Sequence, residues 1–463
     1  MNATGLAAVV LAAGKGTRMK SERPKVQHEL AGRPMLHYPV DQALNLGCRP
    51  TVLVTGHGTD EVRTSLQDRQ VAFALQEQQL GTGHALLSAR RSLEGFSGDL
   101  LLLCGDVPLL RGETLEQLLA LHRAEQAAAT VLTAKLENPR GYGRILRDGD
   151  EVLGIIEEKD ATEAQRGLCE VNTGIYIFTA PRVFEILAEL GCDNAQGEYY
   201  LTDVLAALRR EGLRVRALML EDSSEAMGIN SRVQLAEAAA ILRRRINEKW
   251  MLAGVTLIDP ATTYIDEGVE IGPDTVIHPG VSLWGASRIG RDCLIEPGVT
   301  VDGCELGDGV HLKSGSVLEG SRIGSHSDIG PMAHLRPGTV LVGHNKIGNF
   351  VETKKATIGE GSKASHLTYI GDAELGARVN IGCGTITCNY DGVNKHRTVI
   401  EDGVFVGSDT QFIAPVRIGR NSVIGAGSTI TKDVPAHSLA LSRSPQKIIE
   451  NWTLRKKKSR DKE

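Results

Sequence analysis

Residues 265–301 read IDEGVEIGPDTVIHPGVSLWGASRIGRDCLIEPGVTV, and an aliphatic residue occupies every sixth position of this stretch. These positions are Ile265, Ile271, Ile277, Leu283, Ile289, Ile295 and Val301. An α-helix cannot present one face at a period of six. Repeats of this length are typical of a parallel β-helix, in which each side of a triangular coil contributes one inward aliphatic side chain. The stretch therefore predicts a β-helix.

The same period continues toward the C-terminus with two interruptions. The register slips by one residue near Leu306, is restored through Leu312 and Leu318, and returns cleanly from Ile400 to Ile430. Between Gly382 and Val399 the segment CGTITCNYDGVNKHRT leaves the repeat. We expect this segment to protrude as a loop, and insertions in solenoids are often binding surfaces.

The first half of the chain has a different pattern, in which short apolar runs alternate with longer stretches of helical character. The runs at 7–11, 51–54 and 100–104 predict buried strands of a parallel sheet with helices on both faces. Such sheets bind ligands at the carboxyl ends of their strands. We therefore predict a nucleotide-binding domain over 1–230, a linker helix over 231–252, and the repeat domain over 253–463.

Bulk composition excludes several classes of partner. The net charge is -5, the pI is near 6.3, and aromatic residues make up 4% of the chain. Such a chain lacks the positive field and the stacking residues that nucleic acid requires. It also contains no apolar run of the length that a membrane span needs. The eight cysteines show no CxxC spacing, which predicts a reducing, cytoplasmic location. We assign no function to the basic tail at 455–460, because a terminal run of charged residues is usually solvated.

A glycine-rich segment follows the first predicted strand. It reads LAAGKGTRM over 11–19, and Pro24-Lys25 comes shortly after. Glycines allow a close backbone approach to phosphate, and Arg18 and Lys25 add positive charge. The segment matches neither the dinucleotide fingerprint nor the Walker loop. From the glycine pattern alone, a phosphate cradle and a structural turn both remain open.

The third strand run ends in Gly105-Asp106-Val107-Pro108. A single carboxylate at this edge suits Mg²⁺, which takes few protein ligands while it bridges substrate phosphates. An aspartate that only caps the turn is the alternative interpretation.

The repeat half concentrates polar residues around the predicted loop. Arg336 and Lys354 are candidates to clamp a phosphate group, and His366 is a candidate general base. Several other histidines lie in this half, so the residues alone do not single out His366.

Seven motifs occur in one order along the chain: LAAGKGTRM and Pro24-Lys25; Gln76 with LGTGHA at 80–85; GDVP at 105–108; GYGR at 141–144; EVNTG at 170–174; and GIN at 228–230. Together they resemble the sugar-1-phosphate nucleotidyltransferases. With the repeat half, essentially the whole chain resembles the bacterial bifunctional N-acetylglucosamine-1-phosphate uridylyltransferases/glucosamine-1-phosphate acetyltransferases. That family combines an α/β Rossmann-like nucleotidyltransferase domain with a left-handed parallel β-helix of hexapeptide repeats.

The resemblance implies a set of residues for the first half. The residues implied to bind the UDP-sugar are Leu11, Ala12, Ala13, Gly14, Lys25, Gln76, Gly81, Thr82, Gly141, Glu157, Asn172 and Asn230. It also implies Asp106 and Asn230 as ligands of Mg²⁺. Cys104 stands where relatives commonly have tyrosine.

For the second half, the resemblance implies His366 as the catalytic base. It implies Arg336, Lys354, Tyr369 and Asn380 for the amino-sugar phosphate, and Cys383, Asn389, Tyr390, Ser408, Ala426 and Arg443 for acetyl-coenzyme A. Cys383 replaces a small residue of the family pattern. UTP and acetyl-coenzyme A are the implied co-substrates, and a homotrimer that supplies precursors of peptidoglycan and lipopolysaccharide is the implied context.

Three other interpretations remain open at this point. The chain is a nucleotidyltransferase for another sugar or base, or its β-helix only trimerises the enzyme, or the β-helix is a hydratase in which histidines share zinc between subunits.

Overall fold

A computed structural model describes residues 5–14, 16–56, 59–149, 151–192, 194 and 196–454. The chain divides into two compact units, Met1–Arg243 and Arg244–Glu463, which are referred to as unit 1 and unit 2. The basic tail lies outside the described residues.

Unit 1 contains eleven strands and seven complete α-helices among its described residues. Its strands are β1 (Leu6–Ala12), β2 (Glu29–Leu30), β3 (Arg33–Pro34), β4 (Thr51–Thr55), β5 (Ala72–Leu75), β6 (Asp99–Cys104), β7 (Ala129–Lys135), β8 (Arg144–Asp148), β9 (Glu151–Ile156), β10 (Glu170–Thr179) and β11 (Val215–Met219). Its helices are α1 (His37–Asn45), α2 (Thr59–Ser65), α3 (Thr82–Ser88), α4 (Gly112–Ala124), α5 (Glu163–Arg166), α6 (Ala180–Glu189) and α7 (Asp203–Arg210). Helix α8 (Arg232–Leu252) crosses the boundary between the units.

The main sheet of unit 1 has the order β11-β7-β10-β6-β1-β4-β5, with the β8–β9 hairpin attached to β10. Alternate strand residues such as Val9, Val54 and Leu102 pack with α3, α6 and α7 in one core cluster. The intervening residues point to the opposite face. Helix α1 packs on β1, β4 and β6, and α4 packs on β7, β10 and β11. The predicted strands at the three apolar runs are therefore present and buried.

One expectation about this sheet was wrong, because the sheet is mixed rather than parallel. Strands β5, β4, β1 and β6 are mutually parallel, whereas β10 runs antiparallel to both β6 and β7. The segment that leads into β10 carries only the one-turn helix α5. A parallel connection needs a crossover of a dozen or more residues, usually a full helix across the sheet.

Beyond the end of α8, unit 2 has no described helix longer than one turn. Apart from β27 and β28, its strands are two or three residues long. They are β12 (Thr256–Leu257), β13 (Tyr264–Ile265), β14 (Glu270–Ile271), β15 (Val276–Ile277), β16 (Ser282–Trp284), β17 (Arg288–Ile289), β18 (Leu294–Ile295), β19 (Thr300–Asp302), β20 (Glu305–Leu306), β21 (His311–Leu312), β22 (Val317–Glu319), β23 (Arg322–Ile323), β24 (Asp328–Ile329), β25 (His334–Leu335) and β26 (Val340–Leu341). The series continues with β27 (Lys346–Ile358), β28 (Lys363–Leu375), β29 (Asn380–Ile381), β30 (Ile386–Cys388), β31 (Thr398–Ile400), β32 (Phe405–Val406), β33 (Gln411–Ile413), β34 (Val416–Ile418), β35 (Val423–Ile424), β36 (Thr429–Ile430) and β37 (Leu439–Ala440).

Most of these strands pair in parallel with the third strand further along the chain, so three strands make one coil. Ile277 pairs with Ile295, which pairs with Leu312 on the next coil, and each of these side chains is fully buried. The second pairing spans one residue fewer than the first, which accounts for the register slip near Leu306. The predicted fold class, a Rossmann-like domain followed by a left-handed β-helix of hexapeptide repeats, is confirmed.

The predicted protruding loop is shorter than expected. Residues 386–388 form β30 and pair with β28 and β33, and Cys383 and Gly384 make backbone hydrogen bonds to neighbouring coils, so only residues 389–397 leave the coil. The inward residue of β30 is Thr387, which is buried and donates a hydrogen bond to the carbonyl of Gly371 at 3.0 Å. A search for aliphatic residues misses this side of the coil, because a satisfied threonine hydroxyl can take the inward position.

No helix among the described residues is long and apolar enough to cross a membrane.

Candidate active sites of the two units

The carboxyl ends of β1 and β6 open onto a cavity of about 390 Å³ in unit 1. Parallel neighbouring strands end at the same edge of the sheet, so residues distant in sequence meet there. The predicted residues that line this cavity are Leu11, Ala12, Ala13, Gly14, Lys25, Gln76, Gly81, Thr82 and Asp106. Cys104 lines it as well, and burial raises the pKa of its thiol to about 12, which keeps the sulfur protonated.

Gly81 shows why one turn of this cavity needs glycine. Its φ is +103°, and a Cβ at this position would lie 2.8 Å from the carbonyl oxygen of Tyr199. The neighbouring backbone is fixed by a hydrogen bond from the Tyr199 amide to the Leu80 carbonyl at 2.8 Å. Glycine at position 81 therefore allows the turn before α3 to pack closely against the backbone at Tyr199.

Gln76 is buried, and its amide nitrogen lies 3.2 Å from the carbonyl oxygen of Gly81 and 3.1 Å from Nδ1 of His84. Gln79 donates a hydrogen bond to the carbonyl of Ala13, which joins the glycine-rich segment to the turn before α3. Gln79 was not among the predicted residues, because its role in shaping the cavity depends on a contact between distant segments.

Lys25 contacts both predicted metal ligands. Its Nζ lies 2.5 Å from Oδ2 of Asp106 and donates a hydrogen bond to Oδ1 of Asn230 at 3.0 Å. The amide of Ile229 donates to the main-chain oxygen of Asp106 at 2.9 Å, which ties the two ligand segments together. A carboxylate and an amide oxygen thus converge on one cationic group, and this is a donor set that suits Mg²⁺.

A second cavity, of about 970 Å³, holds two predicted sugar-binding residues, Gly141 and Glu157. Arg18 and Arg140 also line it. Burial raises the pKa of Glu157, whose Oε1 accepts a hydrogen bond from the Thr202 hydroxyl at 3.3 Å. Burial thus disfavours the charged form of this carboxyl group, and the hydrogen bond from Thr202 acts in the opposite direction.

Asn172 and Asn230 line neither of these two cavities. Oδ1 of Asn172 accepts hydrogen bonds from the Tyr176 hydroxyl at 2.8 Å and the Gly174 amide at 2.9 Å. Its amide nitrogen is therefore the group available for a ligand. The Cys104 thiol donates to the carbonyl of Gly174 at 3.5 Å, which connects Asn172 to the cavity at the ends of β1 and β6.

In unit 2, the two thirteen-residue strands β27 and β28 pair along their length and carry Lys354, His366 and Tyr369 of the candidate acetyl-transfer site. Glu352 pairs with Tyr369 across these strands, and Arg336 NH1 donates to Oε1 of Glu352 at 2.8 Å. Asn389 lies 3.5 Å from the Tyr369 hydroxyl. It also donates to Oδ2 of Asp372 at 2.5 Å.

Lys354 belongs to a cluster of positive charges. The charge of Lys395, followed by that of Arg336, lowers the pKa of Lys354. Three cations kept this close favour a polyvalent anion such as a phosphate monoester. Lys395 was not among the predicted residues, although it lies in the insertion already suspected of binding.

His366 lies at an exposed corner of the coil, directly opposite Asn349 on the preceding coil. The register that joins β28 to β29 places Cys383 at the equivalent position of the next coil, and Ser408 and Ala426 follow on the two coils after that. The amide of Asp409 donates to the Cys383 carbonyl at 2.7 Å, and Arg443 NH1 donates to the Ala426 carbonyl at 2.9 Å. Four of the residues predicted for acetyl-coenzyme A thus form one column that begins beside His366.

The remaining predicted residues lie around this corner. Asn380 is on the side of the coil that precedes it, paired with Lys363 and Phe405, whereas Tyr369 is on the side that follows. Tyr390 is exposed in the insertion, where its hydroxyl donates to the Gly392 carbonyl at 2.6 Å.

Comparison with known proteins gives matches to both units. A MobA-like NTP transferase domain matches residues 8–212, a GMPPB C-terminal domain matches 252–358, and a bacterial transferase hexapeptide model of six repeats matches 397–432. Three curated relatives share the name Bifunctional protein GlmU. The one from Syntrophotalea carbinolica is 70% identical over 97% of both chains. Those from Pelobacter propionicus and Geotalea uraniireducens are 58% and 57% identical over 98% of this chain and 99% of theirs.

Proposed function

The chain belongs to the GlmU family of bifunctional proteins, and we propose that its two units carry out consecutive steps of one synthesis. The protein is an acetyltransferase and uridylyltransferase that makes UDP-N-acetylglucosamine. Unit 2 acetylates glucosamine 1-phosphate, and unit 1 joins the product to UMP from UTP. The observation that carries this division is that each unit has its own cationic group beside a separate set of proposed donor-binding residues: Lys25 in unit 1 and the cluster around Lys354 in unit 2.

In the acetyl-transfer step, Arg336, Lys354 and Lys395 hold the phosphate of the amino sugar. The sugar nitrogen attacks the thioester carbonyl of acetyl-coenzyme A, a new C–N bond forms, and the C–S bond breaks to release the coenzyme thiol. His366 takes the proton that the nitrogen loses and so acts as the general base.

The column from Cys383 to Arg443 is the proposed binding surface for acetyl-coenzyme A, with Asn389 and Tyr390 beside it. Because the column begins next to His366, a thioester bound there would have its reactive end near the base. Tyr369 and Asn380 flank the same corner and are proposed to position the sugar.

In the uridylyl-transfer step, a phosphate oxygen of N-acetylglucosamine 1-phosphate attacks the α-phosphorus of UTP and pyrophosphate leaves. No covalent enzyme intermediate is needed, so positioning and charge neutralisation carry the catalysis. Leu11 to Gly14, Gln76, Gly81 and Thr82 surround the nucleotide, while Gly141, Glu157 and Asn172 bind the sugar.

Asp106 and Asn230 are proposed to hold Mg²⁺, since their oxygens converge on one cationic point. When bound, the ion neutralises charge on the triphosphate and polarises the reacting phosphoryl group. We also propose a homotrimer, as hexapeptide-repeat relatives suggest, and a cytoplasmic location, since all eight cysteines are free thiols.

The division of labour is tested with two variants of the full-length chain. Asp106→Ala is expected to lose Mg²⁺-dependent uridylyl transfer and keep acetylation, and His366→Ala is expected to show the reverse. If His366→Ala acetylated at the wild-type rate, the base assignment would be wrong. If acetyl-coenzyme A and glucosamine 1-phosphate gave no reaction and no thermal shift with any variant, the β-helix would be a noncatalytic scaffold.

A further inference from the structure

The ammonium group of Lys25 occupies the point on which the two proposed metal ligands converge. Its Nζ lies 2.5 Å from Asp106 Oδ2 and 3.0 Å from Asn230 Oδ1. Mg²⁺ binds its oxygen ligands at about 2.0 to 2.1 Å, so an ion held by these oxygens would lie within the reach of the same ammonium group. The ion and the ammonium cannot share this position.

The charges of the pair act on each other through a partly dry medium. Only 10% of the Lys25 side chain and 22% of the Asp106 side chain are exposed. Like charges a few ångströms apart repel much more strongly in such surroundings than in bulk water. A divalent ion that enters between Asp106 and Asn230 therefore has to expel the lysine ammonium.

The main chain of both proposed ligands is held by hydrogen bonds, whereas the ammonium group lies at the end of a long side chain. The Asp106 main chain accepts a hydrogen bond from Ile229, and the Asn230 amide donates to Oε1 of Gln234 at 2.8 Å. Lys25 reaches these oxygens with a long side chain of several rotatable bonds, whose base is held where Cβ of Lys25 packs closely against Gly16. The ammonium can swing on this base without a change in the backbone.

The space for this movement is present. Lys25 lines the cavity of about 390 Å³ together with Ala13 and Gly14, where the triphosphate is proposed to bind. An ammonium displaced from Asp106 would face those phosphates.

We propose that Lys25 is an exchangeable internal cation. Its ammonium group neutralises Asp106 when no metal is bound, and metal entry moves this ammonium group to the nucleotide phosphates. This inference rests on the proposed metal role of Asp106 and Asn230. It makes metal binding and the placement of a phosphate-binding lysine one coupled event. The nucleotide cavity would therefore gain its positive charge only when the metal is in place.

The test measures Mn²⁺ binding to the full-length protein without nucleotide, by electron paramagnetic resonance. Lys25→Met removes the ammonium and keeps the length of the side chain, and Lys135→Met is the matched control because Lys135 is an exposed lysine at the end of β7. We expect Lys25→Met to bind Mn²⁺ at least about tenfold more tightly than wild type, because the competing charge is gone. The control is expected to bind as wild type does.

A second readout guards against a simple loss of folding. Without metal, Lys25→Met is expected to unfold at a lower temperature, because Asp106 loses its counter-charge, and added Mn²⁺ is expected to raise its Tm by more than it raises that of wild type. If Lys25→Met bound Mn²⁺ as tightly as wild type or more weakly, and Asp106→Ala did not bind Mn²⁺, the proposed exchange would be wrong and the proposed metal site would stand. Mn²⁺ binding that Asp106→Ala leaves unchanged would instead overturn the proposed metal assignment.

Discussion

The carbonyl oxygen of Leu367 accepts a hydrogen bond from the amide of Gly384 at 2.8 Å. This bond joins two successive coils at one corner of the β-helix, and it fixes His366 and Cys383 as neighbours along the solenoid axis. The proposed base and the first residue of the proposed coenzyme A column are thereby set by backbone pairing. Their spacing does not depend on the conformation of a loop.

His366→Gln removes the base and keeps a polar side chain of similar size. We expect kcat for acetylation to fall by about 10² to 10⁴, which is the usual contribution of general base catalysis. The measurement is thiol release from acetyl-coenzyme A with saturating glucosamine 1-phosphate. Uridylyl transfer by the same preparation is the internal control, and a parallel loss of both activities would point to misfolding instead.

Lys395→Met weakens the proposed phosphate clamp. Because Lys395 faces Lys354 and Arg336, we expect KM for glucosamine 1-phosphate to rise by about tenfold or more, in line with the loss of one charge-assisted contact. KM for acetyl-coenzyme A should change little. The control is Lys432→Met, an exposed lysine near the end of the solenoid. A selective increase in KM for the thioester would contradict the assignment.

Gly81→Ala introduces a methyl group where the backbone is already at φ +103° and the Tyr199 carbonyl lies 2.8 Å away. We expect unit 1 to lose about 1 to 3 kcal/mol of stability and its UTP affinity to fall, since the start of α3 must shift. Gly191→Ala is the matched control, because a Cβ at Gly191 would meet nothing within 4 Å and the φ of this residue is not positive. Calorimetry and KM for UTP are the measurements, and equal behaviour of both variants would refute the strain argument.

His37 makes unit 1 sensitive to acid. Burial, followed by the charges of Arg69 and Arg33, lowers the pKa of His37 from 6.5 to about 4 in the folded protein. A lowered pKa means that the unfolded chain binds the proton more readily, so this contribution to stability is complete above pH 6.5 and is lost as the pH falls toward 4. The difference between the two pKa values corresponds to at most about 3 kcal/mol in the free energy of unfolding.

His37→Gln is therefore expected to reduce the loss of stability between pH 7 and pH 5, as measured by urea unfolding of the full chain. His437→Asn, at an exposed residue, should leave the pH dependence as in wild type. If His37→Gln and wild type lost the same stability over this range, His37 would not titrate as described.

The sequence predicted the repeat fold well because each coil of a β-helix requires inward aliphatic residues at a regular spacing. Ile277, Ile295 and Leu312 must point inward on successive coils, so their spacing is visible without a structure. Thr387 was missed because its inward position depends on a hydrogen bond to Gly371 rather than on apolar character. The antiparallel β10 was missed for a similar reason, since strand direction depends on the length of the connection and not on the strand residues themselves.

The sequence predicted which residues belong to the candidate sites better than it predicted the contacts between those residues. The motifs brought Leu11, Gln76 and Asp106 to one cavity, because strand ends meet at one sheet edge. The sequence did not indicate that Lys25 lies between Asp106 and Asn230, or that Lys395 joins Lys354. Both relationships depend on how segments far apart in sequence pack together. The residues next to each lysine in the sequence do not specify this packing.

The synthesis of UDP-N-acetylglucosamine by this one chain is tested most directly by incubating the purified protein with glucosamine 1-phosphate, acetyl-coenzyme A, UTP and Mg²⁺. The measurement is the amount of UDP-N-acetylglucosamine over time. We expect this product to accumulate together with free coenzyme A thiol and pyrophosphate in equal amounts. If the free thiol or the pyrophosphate were not released, the assignment of both activities to the chain would be contradicted.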